Sequence, residues 1–156
     1  MIYILLYILF ISAFAISKNS DKRNRSFAFF FLLVMMLLVG FRGETVGIDT
    51  SEYVSYYQYG SGDLDYFNTS SEVLFRFFAS FLRRYTTNYH FFFFILSLIQ
   101  FFFLSKAIDK FSVDPLFSVF IFFSYWPFFF FESLNILRQC VAMPIILCSI
   151  GYWNDN

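Results

Sequence analysis

Apolar residues arrive in five runs along the chain, and polar residues gather between them. The runs cover about 2–17, 26–41, 89–105, 115–131 and 135–153. Each approaches the ~20 residues that a helix needs to cross the hydrocarbon core. The pattern predicts an all-α, polytopic transmembrane helical bundle of about five spans, a single domain over 1–156. The first run has no positive charge before it and no small-residue cleavage site after it, so it reads as a retained helix rather than a secretory signal. The stretch 42–88 is too long for a structureless connection. Two short helices are legible in it. Asp49-x-x-Glu52 has capping-box form before SEYVSYYQY. Thr69-x-x-Glu72 leads into VLFRFFASFLRRY, where apolar positions 74, 75, 78, 81 and 82 fall at helical spacing. Glu72 and Arg76 stand four apart as an ion-pair couple. This second helix suits a place on the membrane or over the bundle. Residues 60–68 form the turn between the two.

Composition agrees with the pattern. Hydrophobic residues make up 59% of the chain, charged residues 14%, and phenylalanine alone supplies 28 positions. A soluble domain averages about 25% charged residues and could not hide this much apolar surface. The aromatic runs 91–94 and 128–131 read as lipid-facing phenylalanine rather than a cofactor box. Pro127, after Tyr125 and Trp126, is expected to kink the fourth span. Formal net charge is zero, which argues against a nucleic-acid partner.

The loop charges orient the bundle. Residues 18–26 hold Lys18, Lys22, Arg23 and Arg25 against Asp21, and Lys106 and Lys110 follow the third span. With five spans these fall on one side, which the positive-inside rule makes the cytoplasm. The N-terminus and residues 42–88 then lie outside. All lysines are inside, whereas Arg42, Arg76, Arg83, Arg84 and Arg138 are outside. Arginine offers a planar fork that grips phosphate or carboxylate at two points. Helix-end snorkelling would produce the same distribution.

Nucleotide and metal motifs are missing: there is no P-loop, dinucleotide glycine fingerprint, HExxH or CxxC. Neither a cofactor nor a metal is expected. Cys140 and Cys148 stand about 12 Å apart along one helix, too far to bridge. His90, the lone histidine, reads as an interfacial anchor. Two stretches carry candidate chemistry. In 41–53, Arg42, Glu44, Asp49 and Thr50 accompany Gly43 and Gly47, either as a ligand loop that backbone can approach closely or as a capped helix start reached through a turn. In 132–139, Glu132, Asn135 and Gln139 share one helical stripe with Arg138 beside them. Polar groups entering an apolar helix are expensive unless paired or facing a ligand. At a helix N-terminus, Arg138 suits an anion. Hydrogen bonding between helices is the other reading.

These stretches, in this order, resemble the EpsG family of Wzy-type exopolysaccharide polymerases. The matching residues are Phe41-Arg42, then Val46-Gly47-Ile48-Asp49-Thr50 and Tyr53, then Glu72 with Phe75, then Asn135-x-x-Arg138-Gln139 with Ala142. After Glu72 the family pattern has a small residue and then an aromatic, and here Val73 and Leu74 intervene. Family members look about twice as long, so this chain is expected to be an N-terminal portion. The resemblance implies a GT-C-like architecture in the bacterial inner membrane. It implies a polymerase that joins repeat units carried on undecaprenyl pyrophosphate at the outer face. Arg42 and Arg138 would contact pyrophosphate, Asp49 or Glu72 would serve as catalytic base, and Glu132, Asn135 and Gln139 would orient the sugar or Arg138. Expected partners are the lipid-linked glycan, membrane lipids, and polysaccharide assembly proteins or a missing C-terminal half. Two other classes remain open. One is a lipid-linked glycan transporter, which would want polar residues deep in several spans. The other is a non-catalytic structural subunit, which would tolerate alanine at Arg42 and Arg138.

Overall fold

A computed structural model describes residues 2–17, 20–59, 73–125, 130 and 132–153. Those residues are built from helices, in the order α1 (Ile2–Ser17), α2 (Asp21–Gly40), α3 (Thr50–Tyr59), α4 (Val73–Arg83), α5 (Tyr89–Phe111), α6 (Pro115–Ser124) and α7 (Leu137–Trp153), with a 3-10 turn at Glu132–Leu134 before α7. α2 and α5 are long and apolar enough to cross a membrane. α1, α6 and α7 are apolar but shorter.

The helices differ from the apolar runs at their ends. α2 starts at Asp21 rather than 26, and α5 continues past 105 to Phe111. A helix satisfies its own backbone, so nothing forces it to stop where the apolar run stops. Contacts hold both extensions. Arg25 on α2 pairs with Asp109 on α5 at 2.7 Å. Asn24 donates to Asp114 and accepts from the Leu116 amide. The fourth helix corrects the expected 115–131. α6 ends at Ser124, and the Phe130 amide returns to the Phe122 carbonyl. The expected kink at Pro127 lies outside the described residues.

Caps explain the starts. Asn88 accepts the His90 amide to open α5, and Asp114 accepts the Phe117 amide with Pro115 in the first turn of α6. Aromatic interlock fills the core: Phe10 of α1 stacks on Phe31 of α2 at 3.7 Å and meets Phe123 of α6. Such interlocking supplies dispersion where lipid removes most of the hydrophobic drive. α2 and α5 approach so closely at Gly40 that a Cβ there would lie 2.7 Å from the Ser97 hydroxyl and 3.1 Å from the Phe94 Cα.

α3 and α4 sit together over the α5 start. Tyr57 stacks on Phe92 at 4.5 Å, and Phe75 meets Phe92 edge-on. Tyr57 donates to the Thr86 carbonyl at 2.6 Å, and Arg83 donates to the Gln58 carbonyl at 2.8 Å. Burial pushes the Tyr57 phenol above its usual value, so it remains a donor at neutral pH. Tyr57→Phe is expected to lower stability by about 1 kcal/mol, because the Thr86 carbonyl loses its partner. A thermal melt should show a shift of about 2–4 °C. The stripe on α4 divides. Phe75, Phe78, Ala79 and Leu82 turn inward, while Leu74, Phe77 and Phe81 remain exposed. The Thr69-x-x-Glu72 start, the Glu72–Arg76 couple and the turn at 60–68 lie outside the described residues.

Candidate functional site

The two sequence stretches meet at the start of α7. The loop after α2 and the 3-10 turn are laced together by backbone-directed bonds. Arg42 donates from Nη1 to the Ser133 carbonyl at 2.8 Å. The Ile48 amide donates to Asn135 Oδ1 at 2.8 Å. Thr50 donates its hydroxyl proton to the Val46 carbonyl at 2.5 Å, with the Leu134 carbonyl 3.2 Å away. Gly47 closes the joint. Its φ is +91°, and a Cβ there would run into the Leu134 carbonyl. Only glycine combines that backbone angle with that approach.

Arg42 is 3% exposed, with its guanidinium 4.3 Å above the Phe93 ring. Nε and Nη2 meet no acceptor among the described residues. Burial lowers its pKa well below the usual arginine value, to about 10. Beneath it, Gln100 of α5 is buried and donates to the Ser133 hydroxyl at 2.6 Å.

Above this joint lies a small cavity of about 160 Å³. Asp49, Glu52, Arg138 and Arg76 of α4 line it, with Tyr53, Tyr56 and Phe75 as its aromatic lining. Arg138 donates from Nε to the Tyr53 hydroxyl at 3.1 Å, and its guanidinium lies 5.6 and 5.8 Å from the Tyr53 and Phe75 ring centres. Those contacts hold the fork in place on an otherwise exposed residue. Among the described residues, no hydrogen bond or ion pair engages the Asp49 or Glu52 carboxylates. The volume suits one sugar ring or one phosphate, well below the ~300 Å³ of a typical small-molecule pocket.

Asp49 and Arg138 are therefore brought together. Arg42 and Asn135 lie in the joint below them. Glu132 opens the 3-10 turn, where its carbonyl accepts the Asn135 and Ile136 amides. Gln139 is exposed on α7 and does not line the cavity. Glu72 lies outside the described residues. The expected single stripe through Glu132, Asn135 and Gln139 is corrected. The helix begins only at Leu137, so the three residues occupy a 3-10 helix, the turn after it and an α-helix. The break frees Asn135 to reach the other loop.

Sequence reasoning did not assign Arg76, Glu52 or Gln100 to the site. Gln100 had a signal, being a lone amide inside an apolar span. Arg76 had only the general signal shared by the five outer arginines, and Glu52 read as a helix-capping residue.

No curated protein and no solved structure matches the chain. The model of the EpsG family matches residues 25–156. That span contains the loop, α3 and α4, the 3-10 turn and the cavity between them. The chain belongs to the EpsG family, an exopolysaccharide-related family of membrane proteins.

Proposed function

We propose that this chain forms part of a polysaccharide polymerase whose reaction takes place at the Asp49–Arg138 cavity. The observation that carries the reading is the pairing of acid and base around one small space. Two carboxylates, Asp49 and Glu52, and two guanidinia, Arg76 and Arg138, line the same cavity. The substrate is a glycan repeat on undecaprenyl pyrophosphate. An acceptor sugar hydroxyl attacks the anomeric carbon of the donor. Its proton passes to a carboxylate, Asp49 in this reading, with Glu72 the other candidate. The bond from the anomeric carbon to the pyrophosphate oxygen breaks, and the pyrophosphate leaves with the electron pair. Arg138 and Arg76 stabilise the charge that develops there. No nucleotide is consumed.

Arg42 and Asn135 act in this reading as positioning residues. They bind backbone and amide groups that set where Asp49 and Arg138 stand. Topology supports the same assignment. With α1, α2, α5, α6 and α7 as membrane-embedded segments and the N-terminus outside, the cavity faces outward. The lysines then lie on the cytoplasmic side of a bacterial inner membrane.

Arg138→Lys tests the reading. It keeps the charge and removes the planar fork. Lipid-linked repeats, supplied to membranes containing the full protein as it occurs in the cell, should be polymerised about 100-fold more slowly. Asp49→Asn should fall at least as far, with normal membrane insertion of both variants. Full polymer length in both would sink the catalytic reading and favour a structural subunit.

A further inference from the structure

The end of the bundle opposite the cavity carries a second feature. Two spaces of about 400 and about 290 Å³ lie between α2 and α5. They share Phe29, Leu32, Phe102 and Ser105, and so form one groove. The deeper part is walled by Leu33, Met36 and Leu98 and is almost wholly apolar. The shallow part carries Arg25, Lys106 and Asp109. From Arg25 to Met36 the wall rises about 16 Å at 1.5 Å per residue, roughly half of a ~30 Å hydrocarbon core. The groove is thus one leaflet deep, with its charged mouth at the membrane surface.

Charge at the mouth is unequal. Arg25 is paired with Asp109 at 2.7 Å and remains largely exposed, so most of its donors still face outward. Lys106 stands 5.9 Å from the Phe102 ring centre at the edge of the groove. Lys22 lies one turn beyond Arg25 on the same face of α2. In the groove lining itself two bases, Arg25 and Lys106, therefore face one acid, Asp109. Asp21 and Asp114 flank Arg25 in a separate space between α1, α2 and α6.

We propose that this groove is a phospholipid site. One acyl chain lies between α2 and α5, and an anionic headgroup rests on Lys106 and Arg25. The shape selects a chain of single-leaflet length, and the charge selects phosphatidylglycerol over phosphatidylcholine. The proposal does not depend on the reaction assigned to the outer cavity. Its readout is lipid binding, which Arg138→Lys should not alter.

The test uses the full chain purified in detergent, with either lipid added at matched acyl length and retained lipid measured by native mass spectrometry. Phosphatidylglycerol should be retained several-fold over phosphatidylcholine and should raise the melting temperature. Lys106→Glu should erase that preference. Leu33→Trp fills the groove and should lower retention of both lipids several-fold. Leu74→Trp, an equally apolar change at an exposed position on α4, should change neither. Equal retention of the two lipids by the unaltered chain would overturn the proposal. So would full retention by Leu33→Trp. A stable two-chain species that excludes lipid and dissociates on Leu33→Trp would assign the groove to a second copy instead.

Discussion

Gly47→Ala is expected to reduce polymer formation to the level seen without the protein. Two costs coincide at this position. The backbone φ of +91° is strained for any residue with a Cβ, by about 1–3 kcal/mol. The added methyl also meets the Leu134 carbonyl, which cannot yield as a flexible side-chain tip could. Relief requires the loop to lift from the 3-10 turn. That movement would break the Ile48–Asn135 and Arg42–Ser133 bonds together. The total should exceed about 4 kcal/mol, the range of the most damaging single substitutions. Gly43→Ala is the matched control, since nothing lies within 4 Å of a Cβ there. It should retain polymer length and membrane level. Measuring both variants by polysaccharide gel and by membrane immunoblot separates a broken joint from a general intolerance of the loop. Normal long chains in Gly47→Ala would show that the joint does not set the site.

Arg42→Met should separate stability from function. Holding the Arg42 pKa near 10, well below the usual arginine value, corresponds to about 3 kcal/mol of lost stability while the group is charged. Against this stand a charge-assisted bond to the Ser133 carbonyl, about 1.5–3 kcal/mol, and the contact with Phe93, about 2 kcal/mol when desolvated. The terms nearly cancel, so methionine of similar length should melt within a few degrees of the parent. Activity should nevertheless fall about 100-fold. The Ser133 anchor sets the turn from which α7 and Arg138 emerge, and misplacement by 1 Å costs about that factor. A pH series adds a signed check. Above about pH 10 the unfolded chain binds the Arg42 proton more strongly than the folded chain does. The parent therefore gains stability from this residue as pH rises through that window, and Arg42→Met lacks that gain. Unchanged activity in Arg42→Met would remove Arg42 from the positioning machinery.

Much of the architecture is legible along the chain. An apolar run needs no partner to declare itself a helix in lipid, because only helices and closed barrels satisfy the backbone there. α2, α5, α3 and α4 are therefore visible from hydropathy and spacing, although the capping box expected at Asp49 and Glu52 makes no side-chain bond among the described residues. Helix ends are less so. The ends of α2 and α5 extend through polar residues because Arg25 finds Asp109 across the bundle, a pairing that no local pattern contains. α6 stops at Ser124 inside a run that remains apolar, where local hydropathy offers no sign of an end.

The candidate site divides along the same line. By itself the sequence established that this is a helical membrane chain with arginines and carboxylates concentrated in one polar segment and at one helix mouth. It also singled out Asp49, Arg138 and Gly47, since their residue types are unusual where they stand. Only the tertiary structure decided which of them meet. It buried Arg42 against Ser133, turned Asn135 onto the Ile48 amide, and left Gln139 exposed and outside the cavity lining. It also brought Arg76 and Glu52 to the cavity from helices where they look like ordinary surface charge. The physical reason is range. Hydropathy and capping act within a few residues of one helix, whereas a buried guanidinium or a glycine wedged on a carbonyl takes its role from atoms roughly ninety positions away.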